Sequence, residues 1–215
     1  MHRKRKPDCG GVPCVRGNAV DSPPGVGKVS AHQLAFTGMP SDAPFHIEPL
    51  DPEKHRREAF DCGAELLNRY LREQARLDVK RRAAGCWVLV ADDDPAEILG
   101  YYTLSPESVL AAELPAKPQP EQKQLPPYAR LGAWLIGRLA VSASHHGHGL
   151  GGLLLIDALR RCLRSEIPAV FVVVDPKDKA ALAFYRKFGF RPLTATRMFM
   201  PMHEVVSLFA RGPGN

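Results

Sequence analysis

Nowhere does this chain carry an apolar run long enough to cross a bilayer. The basic start, Met1-His-Arg-Lys-Arg-Lys-Pro7, has the charge of a signal peptide's first region, but no apolar region follows it. Cysteine is scarce. Cys9, Cys14, Cys62, Cys86 and Cys162 are an odd number, and none has zinc-ligand spacing. The acidic triplet Asp92-Asp-Asp94 lacks the spacing of a calcium loop and reads as a polar turn. These absences lead to the expectation of a cytoplasmic protein with reduced thiols, no membrane association and no metal. Net charge is +6, yet six cations against two anions in the first 28 residues already account for +4 of it. Any case for a polyanionic partner therefore rests on local patches.

What is present begins with a segment expected to stay unfolded. Residues 1–42 hold six glycines, five prolines and no periodic apolar pattern. Met39, just before the first patterned stretch, is an alternative to Met1 as the start of translation. Phe45 to Leu50 alternates like a short strand, and Asp61 stands where a helix cap would. From Ala64 to Lys80 the spacing predicts a helix with Leu66, Leu67, Tyr70, Leu71 and Leu77 on its buried side. Arg69, Arg72, Arg76 and Lys80 fall on the opposite face, and Arg81 and Arg82 extend the run. This is either a solvated face with pairs such as Glu65–Arg69 or a surface for a phosphate backbone. A phosphate partner would offset the like-charged pairs at i, i+4.

Gly85–Ala91 and Glu97–Leu104 predict a hairpin about Asp92–Pro95. Residues 106–116 suggest a short helix or irregular crossover, and 117–128, with four prolines, a loop. Trp134–Val141 predicts a strand, Gly149–Leu163 a helix, and Ala169–Asp175 a buried strand. Lys179–Phe188 predicts a helix closed by Gly189, and Phe190–Met202 one or two last strands. A meander followed by strand–helix–strand–helix–strand implies an α+β sheet flanked by helices, with a central strand–glycine turn–helix unit.

The turn between Val141 and Leu150 carries Gly147 and Gly149, with Gly151 and Gly152 close behind. Glycines let backbone approach a ligand, and a helix N-terminus offers unpaired N–H groups at its positive dipole end, so this unit suits a phosphate. It lacks the Gly-Lys-Ser/Thr ending of a nucleoside-triphosphate loop. Gly147, Gly149 and Gly152 do satisfy GxGxxG, with Asp175 placed for a ribose, but a dinucleotide fold wants that motif on its first strand. The third reading is a cradle for the pyrophosphate of coenzyme A. His145, His146 and His148 have no acidic or cysteine partner at ligand spacing, so they read as cradle side chains rather than metal ligands. Trp87, Trp134, Tyr101 and Tyr102 read as core and cleft wall.

His146-Gly-His-Gly-Leu-Gly151 resembles the Q/R-x-x-G-x-G/A turn of the GNAT N-acetyltransferases, with His146 standing where Gln or Arg is usual. Asp178-Lys-Ala-Ala181, Phe184-Tyr185 and Phe188-Gly-Phe190 resemble that superfamily's closing motif, with Asp178 in place of the usual Asn. Phe60–Gly63, Gly100–Ser105 and Gly137–Val141 are similar to the toxin branch of bacterial toxin–antitoxin modules. The resemblance spans roughly 45–202, giving a GNAT domain at 43–205 and a tail at 206–215. It implies acetyl-CoA as acetyl donor, held by Leu139, Ala140, Val141, His146, Gly147, His148, Gly149, Leu150, Gly151 and Gly152. It also implies an oxyanion-hole role for the Val141 N–H and a general-acid role for Tyr185, whose ordinary pKa near 10 keeps a proton ready for a leaving thiolate. The substrate it implies is aminoacyl-tRNA, acetylated on the α-amine so that translation stops, with Arg69, Arg72, Arg76, Lys80, Arg81 and Arg82 holding the RNA. The partners it implies are a ribbon–helix–helix antitoxin, operator DNA reached only through that antitoxin, and a homodimer as a further assembly. Two alternatives stay open: a GNAT enzyme for a small amine or protein N-terminus, and a coenzyme-binding module without turnover.

Overall fold

A computed structural model describes residues 44–115 and 125–210. The expectations for residues 1–42, for Met39 and for most of the proline-rich loop lie outside the described residues. Four strands run as an antiparallel meander: β1 (Phe45–Pro49), β2 (Gly85–Ala91), β3 (Ile98–Leu110) and β4 (Arg130–Val141). β5 (Phe171–Val174) joins β4 in parallel. β7 (Met198–Pro201) lies antiparallel beside β5, and β6 (Arg191–Pro192) closes the edge, giving the order β1-β2-β3-β4-β5-β7-β6. The parallel step needs a crossover, and α3 (Leu150–Arg164) supplies it. This is the α+β sheet that the sequence predicts.

Both sheet faces are covered. On one, Leu89, Tyr102, Ile136 and Val172 pack beneath Leu154, Leu155 and Leu159 of α3, each leucine worth about 1.5–3 kcal/mol of burial. α4 (Lys179–Lys187) and α5 (Met202–Ala210) share this face through Tyr185 and Val205. α5 runs past residue 205, so 206–210, expected as tail, are helical. On the other face Val88, Val90 and Tyr101 meet Tyr70, Leu71 and Ala75.

Those last residues belong to the predicted amphipathic helix, whose phase differs from the expectation. α1 (Glu65–Arg69) passes through a π-helical turn, Tyr70–Gln74, into α2 (Ala75–Lys80). A π turn takes an extra residue per hydrogen-bonded loop and rotates everything beyond it. Leu77, expected inside, is therefore 39% exposed while Ala75 is buried. Before the turn, Leu66 is also out, at 75%, because the first helical turn inserts Asn68 rather than Leu66. Asp61 does not cap this helix. Its carboxylate accepts from the Gly63 N–H and the Asn68 amide, both at 2.8 Å. β3 also exceeds its expected end and continues through Pro106 to Leu110. β2 begins at Gly85, opposite Leu104, so beyond that point β3 has a free side where a proline's missing N–H is tolerated.

Candidate active site

The site begins with a misfit between two strands. Thr103 pairs with Arg138 and Leu104 with Ile136, which leaves Gly137 as an extra residue on β4. Such a bulge bends its strand. β4 and β5 accordingly pair only from Ala133–Phe171 to Ile136–Val174, and beyond Ile136 the outer side of β4 has no strand partner. The Ser142 N–H donates to the Leu99 carbonyl at 2.8 Å. Backbone groups alternate along a strand, so the Leu139 and Val141 N–H groups face the open gap, whereas that of Ala140 faces β3. Of the three residues expected to offer backbone to a ligand, two can do so.

The glycine turn closes the upper end of this gap. Gly147 and Gly149 have φ of +81° and +84°, the left-handed region that glycine enters without steric cost. Gly149 is the N-cap of α3. The N–H groups of Gly147, His148, Gly149, Leu150 and Gly151 have no acceptor among the described residues. Gly152 differs from expectation, because its N–H donates to the Gly149 carbonyl at 2.9 Å. Beside these donors lies a groove of about 310 Å³ walled by Val141, Phe184 and Phe188, with Lys187 on its rim. Five unpaired N–H groups at a helix N-terminus and an adjacent cation fit a pyrophosphate.

His146 serves this turn indirectly. Its Nε2–H donates to the Val141 carbonyl at 2.9 Å, tying the turn to the end of β4. His145 bonds through Nδ1 with the Ser144 hydroxyl, and His148 is exposed. Among the described residues no group of three or more His, Cys, Asp or Glu side chains could hold a metal. Asp178 caps α4, accepting from the Ala181 N–H at 2.8 Å, a task that Asn and Asp perform alike.

Tyr185 is buried among aromatic rings, 5.1 Å from Phe184 and 5.5 Å from Phe190 between centroids. Burial first, and then the negative charge of Asp175, push its hydroxyl above the ordinary phenol value. On the opposite sheet face a cleft of about 960 Å³ reaches the same parted strands, between α1 with its π turn and Leu135, Gly137 and Arg138 of β4. Arg69, Arg138 and Lys177 line it together with Glu65, Glu73 and Asp175, and Lys177 is paired with Asp178. The Arg138 guanidinium lies 3.5 Å from the Tyr70 ring centroid, a cation–π contact with no carboxylate beside it among the described residues. Sequence reasoning missed Arg138, and its position next to the bulged Gly137 was the signal available.

The expected basic face is divided. Arg69 lines the cleft, Arg72 pairs with Glu65 at 2.5 Å, Arg76 lies 3.8 Å from Glu53, and Arg82 lines a separate hollow. Glu65 reaches Arg72, two turns further on, in place of Arg69.

With this geometry, residues 48–190 match the acetyltransferase (GNAT) family. The chain belongs to that family. A protein named "Probable toxin TacT" from Sinorhizobium fredii is 30% identical over 173 residues, covering 75% of this chain and 93% of that protein. A tRNA-acetylating toxin of Mycobacterium tuberculosis is 31% identical over 134 residues, covering 61% of this chain and 76% of the toxin. Among solved structures, a tyrosine-to-phenylalanine mutant of KacT superposes with a TM-score of 0.71 at 28% identity, covering 78% of this chain and all of that one. AtaT complexed with acetyl-methionyl-tRNAfMet gives 0.70 at 27% identity, covering 76% and 98%. The GNAT domain is an acetyltransferase that draws on acetyl-CoA, and its homologues are toxins of toxin–antitoxin systems. Among the described residues no helix is long and apolar enough to cross a membrane.

Proposed function

We propose that this chain is a toxin that acetylates the α-amine of aminoacyl-tRNA and so blocks translation. The observation that carries the reading is the two-sided site. A phosphate cradle on one sheet face and a large cleft of mixed charge on the other, with the carboxylate-free Arg138 at its floor, both border the parted ends of β4 and β5. A donor and a bulky anionic acceptor can then approach from opposite sides. The relatives named for tRNA acetylation support it, as does AtaT with acetylated methionyl-tRNA.

In this mechanism acetyl-CoA supplies an acetyl group activated as a thioester. The turn N–H groups from Gly147 to Gly151 and Lys187 hold its phosphates, and the Leu139 backbone aligns its arm. The Val141 N–H donates to the carbonyl oxygen as negative charge develops there. Tyr185, held in its neutral form by burial, gives its proton to the departing sulfur. No carboxylate stands out as the base; the acceptor amine enters already neutral, and the proton its nitrogen sheds as the amide forms returns through solvent to Tyr185, replacing the one given to sulfur. A ribbon–helix–helix antitoxin, contact with operator DNA through it, a homodimer and a cytoplasmic location belong to the same proposal. AtaT bound to the C-terminus of its antitoxin AtaR, and a KacTA–DNA complex, support the antitoxin and DNA parts of it.

The test is turnover with charged tRNA, the corresponding free amino acid and short peptides as acceptors. The expected result is acetylation of charged tRNA far above the other two, at a rate falling steeply with added salt. Equal rates on charged tRNA and free amino acid without salt dependence would transfer the chain to small-amine acetylation. Acetyl-CoA binding without turnover on any acceptor would leave a coenzyme-binding module.

A further inference from the structure

A second basic site lies away from the acetyl-transfer centre. Where α3 ends, the sheet continues beneath it and leaves a hollow of about 520 Å³ floored by Trp87 and Trp134 and rimmed by Arg82, Arg160, Arg161 and Arg164. The Trp87 indole stacks on Tyr102 at 5.4 Å between centroids. Its outer ring atoms lie where a Cβ on Gly85 would stand, 2.4 Å away, so only glycine leaves room for this arrangement. Arg161 is committed, donating to Asp157 at 2.8 Å and to the Tyr102 hydroxyl at 2.7 Å, and its guanidinium covers Trp87. Arg82, Arg160 and Arg164 have no carboxylate partner among the described residues.

Arg82 is held there against its backbone preference. Its φ of +58° makes it the one described non-glycine residue in the left-handed region. It stands one residue beyond Arg81, the C-cap of α2, where glycine is the usual choice. A residue kept in such a conformation invites a functional explanation, and the hollow it lines supplies one.

We propose that this hollow is a second anchor for tRNA, gripping phosphates of the double-helical stem whose aminoacyl end occupies the cleft; it rests on the acceptor reading above. Arg69 lines the cleft, and Arg82, just past the end of the helical segment Glu65–Lys80, lines the hollow on the other sheet face, so the RNA passes from one face to the other around the start of β2. From Arg69 to Lys80 the helix advances about 17 Å, over which a nucleic-acid duplex carries on the order of ten phosphates. Lys80 and Arg81 are exposed along the way. Planar, permanently charged guanidinium groups match phosphate oxygens bidentately. An acidic protein segment shares the charge, but only a nucleic acid already anchored in the cleft gains the second contact without a separate binding event.

Equilibrium binding of uncharged total tRNA across a salt series tests the site without acetyl chemistry. Arg82→Gly, Arg160→Gln and Arg164→Gln should each weaken binding and lower the log–log salt slope by about one unit. Acetyl-CoA affinity should stay the same, and Arg82→Gly should raise the melting temperature by relieving the backbone. If the triple variant, shown folded by its melting curve, binds uncharged tRNA with parental affinity and slope, the hollow is not an RNA site. A polyglutamate chain that displaces tRNA from the parent but not from the triple variant at equal ionic strength would reassign it to an acidic protein partner. A parent that binds tRNA through these arginines yet fails to acetylate charged tRNA keeps the hollow and loses the acceptor reading. A triple variant with unchanged KM for charged tRNA does the reverse.

Discussion

Replacing Tyr185 with Phe removes one oxygen from a packed aromatic cluster. The ring contacts with Phe184 and Phe190 survive the change. The hydroxyl makes no hydrogen bond to another described residue, so its loss should cost under about 1 kcal/mol of stability. The cradle donors belong to the turn and α3, so acetyl-CoA affinity should stay within about twofold of the parent. Turnover is another matter. Without a proton donor the thiolate must leave as the anion or find water, and loss of a general acid lowers rates by roughly 10²–10⁴. In barrier terms that is about 2.7–5.4 kcal/mol, several times any plausible cost in folding. Calorimetric titration with acetyl-CoA and single-turnover acetylation, on protein of verified melting temperature, separate the two effects. Because burial raises the hydroxyl's pKa, the parent's activity should also hold across the alkaline range in which an exposed tyrosine ionises. A variant with weakened acetyl-CoA binding and an undiminished maximal rate would make Tyr185 a packing residue and leave the leaving group without its donor.

The cradle and the core give two further expectations. Gly151 has ordinary helical backbone, and a Cβ there would sit 3.6 Å from Phe184 and 3.8 Å from Val141, so Gly151→Ala should fold normally. It should still lose about tenfold or more in acetyl-CoA affinity, because the methyl group stands inside the groove; unchanged affinity by calorimetry would remove that groove from the donor site. Burial holds the Cys86 and Cys162 thiols up at about 12, against about 8.5 in an unfolded chain. Below pH 8.5 both states keep these protons and the stability is fully present. Above it the unfolded chain releases them first, so stability should fall by about 1.4 kcal/mol per pH unit per thiol as pH rises toward 12. Urea denaturation between pH 9 and 10 should show a slope that the Cys86→Ala/Cys162→Ala variant flattens, and identical slopes would contradict the burial argument.

What could be read from the chain alone was encoded within a few residues of itself. The left-handed Gly147 and Gly149 and the Gly189 stop are each dictated by a local backbone demand and are found where the sequence places them, whereas the cap expected at Asp61 is absent and Asp178 supplies one that the sequence reading does not name. Helical phase is different, because it accumulates. One π turn between Arg69 and Ala75 rotates the rest of the helix, so a pattern counted at 100° per residue assigns Leu77 to a core that it does not enter. Nothing in Tyr70-Leu-Arg-Glu-Gln74 marks that turn. The burial of Tyr70, Leu71 and Ala75 against Tyr101 favours it, and that is a tertiary term.

The basic residues, too, act singly and not as a group. Counted along one helix they form a stripe; in the fold they divide among a cleft, two ion pairs and a hollow whose other arginines come from residues 160–164, some eighty positions later. A charge on a surface helix is worth little until its partners are known. Arg72, facing Glu65, is largely neutralised, while Arg82, strained and free of carboxylates among the described residues, is not. Arg138 takes this furthest, since a half-buried guanidinium whose recorded partner is the Tyr70 ring stands beside the bulge that parts the strands. Half-shielded from water and with no carboxylate paired to it among the described residues, it is the cation in the cleft with most to gain from an incoming phosphate.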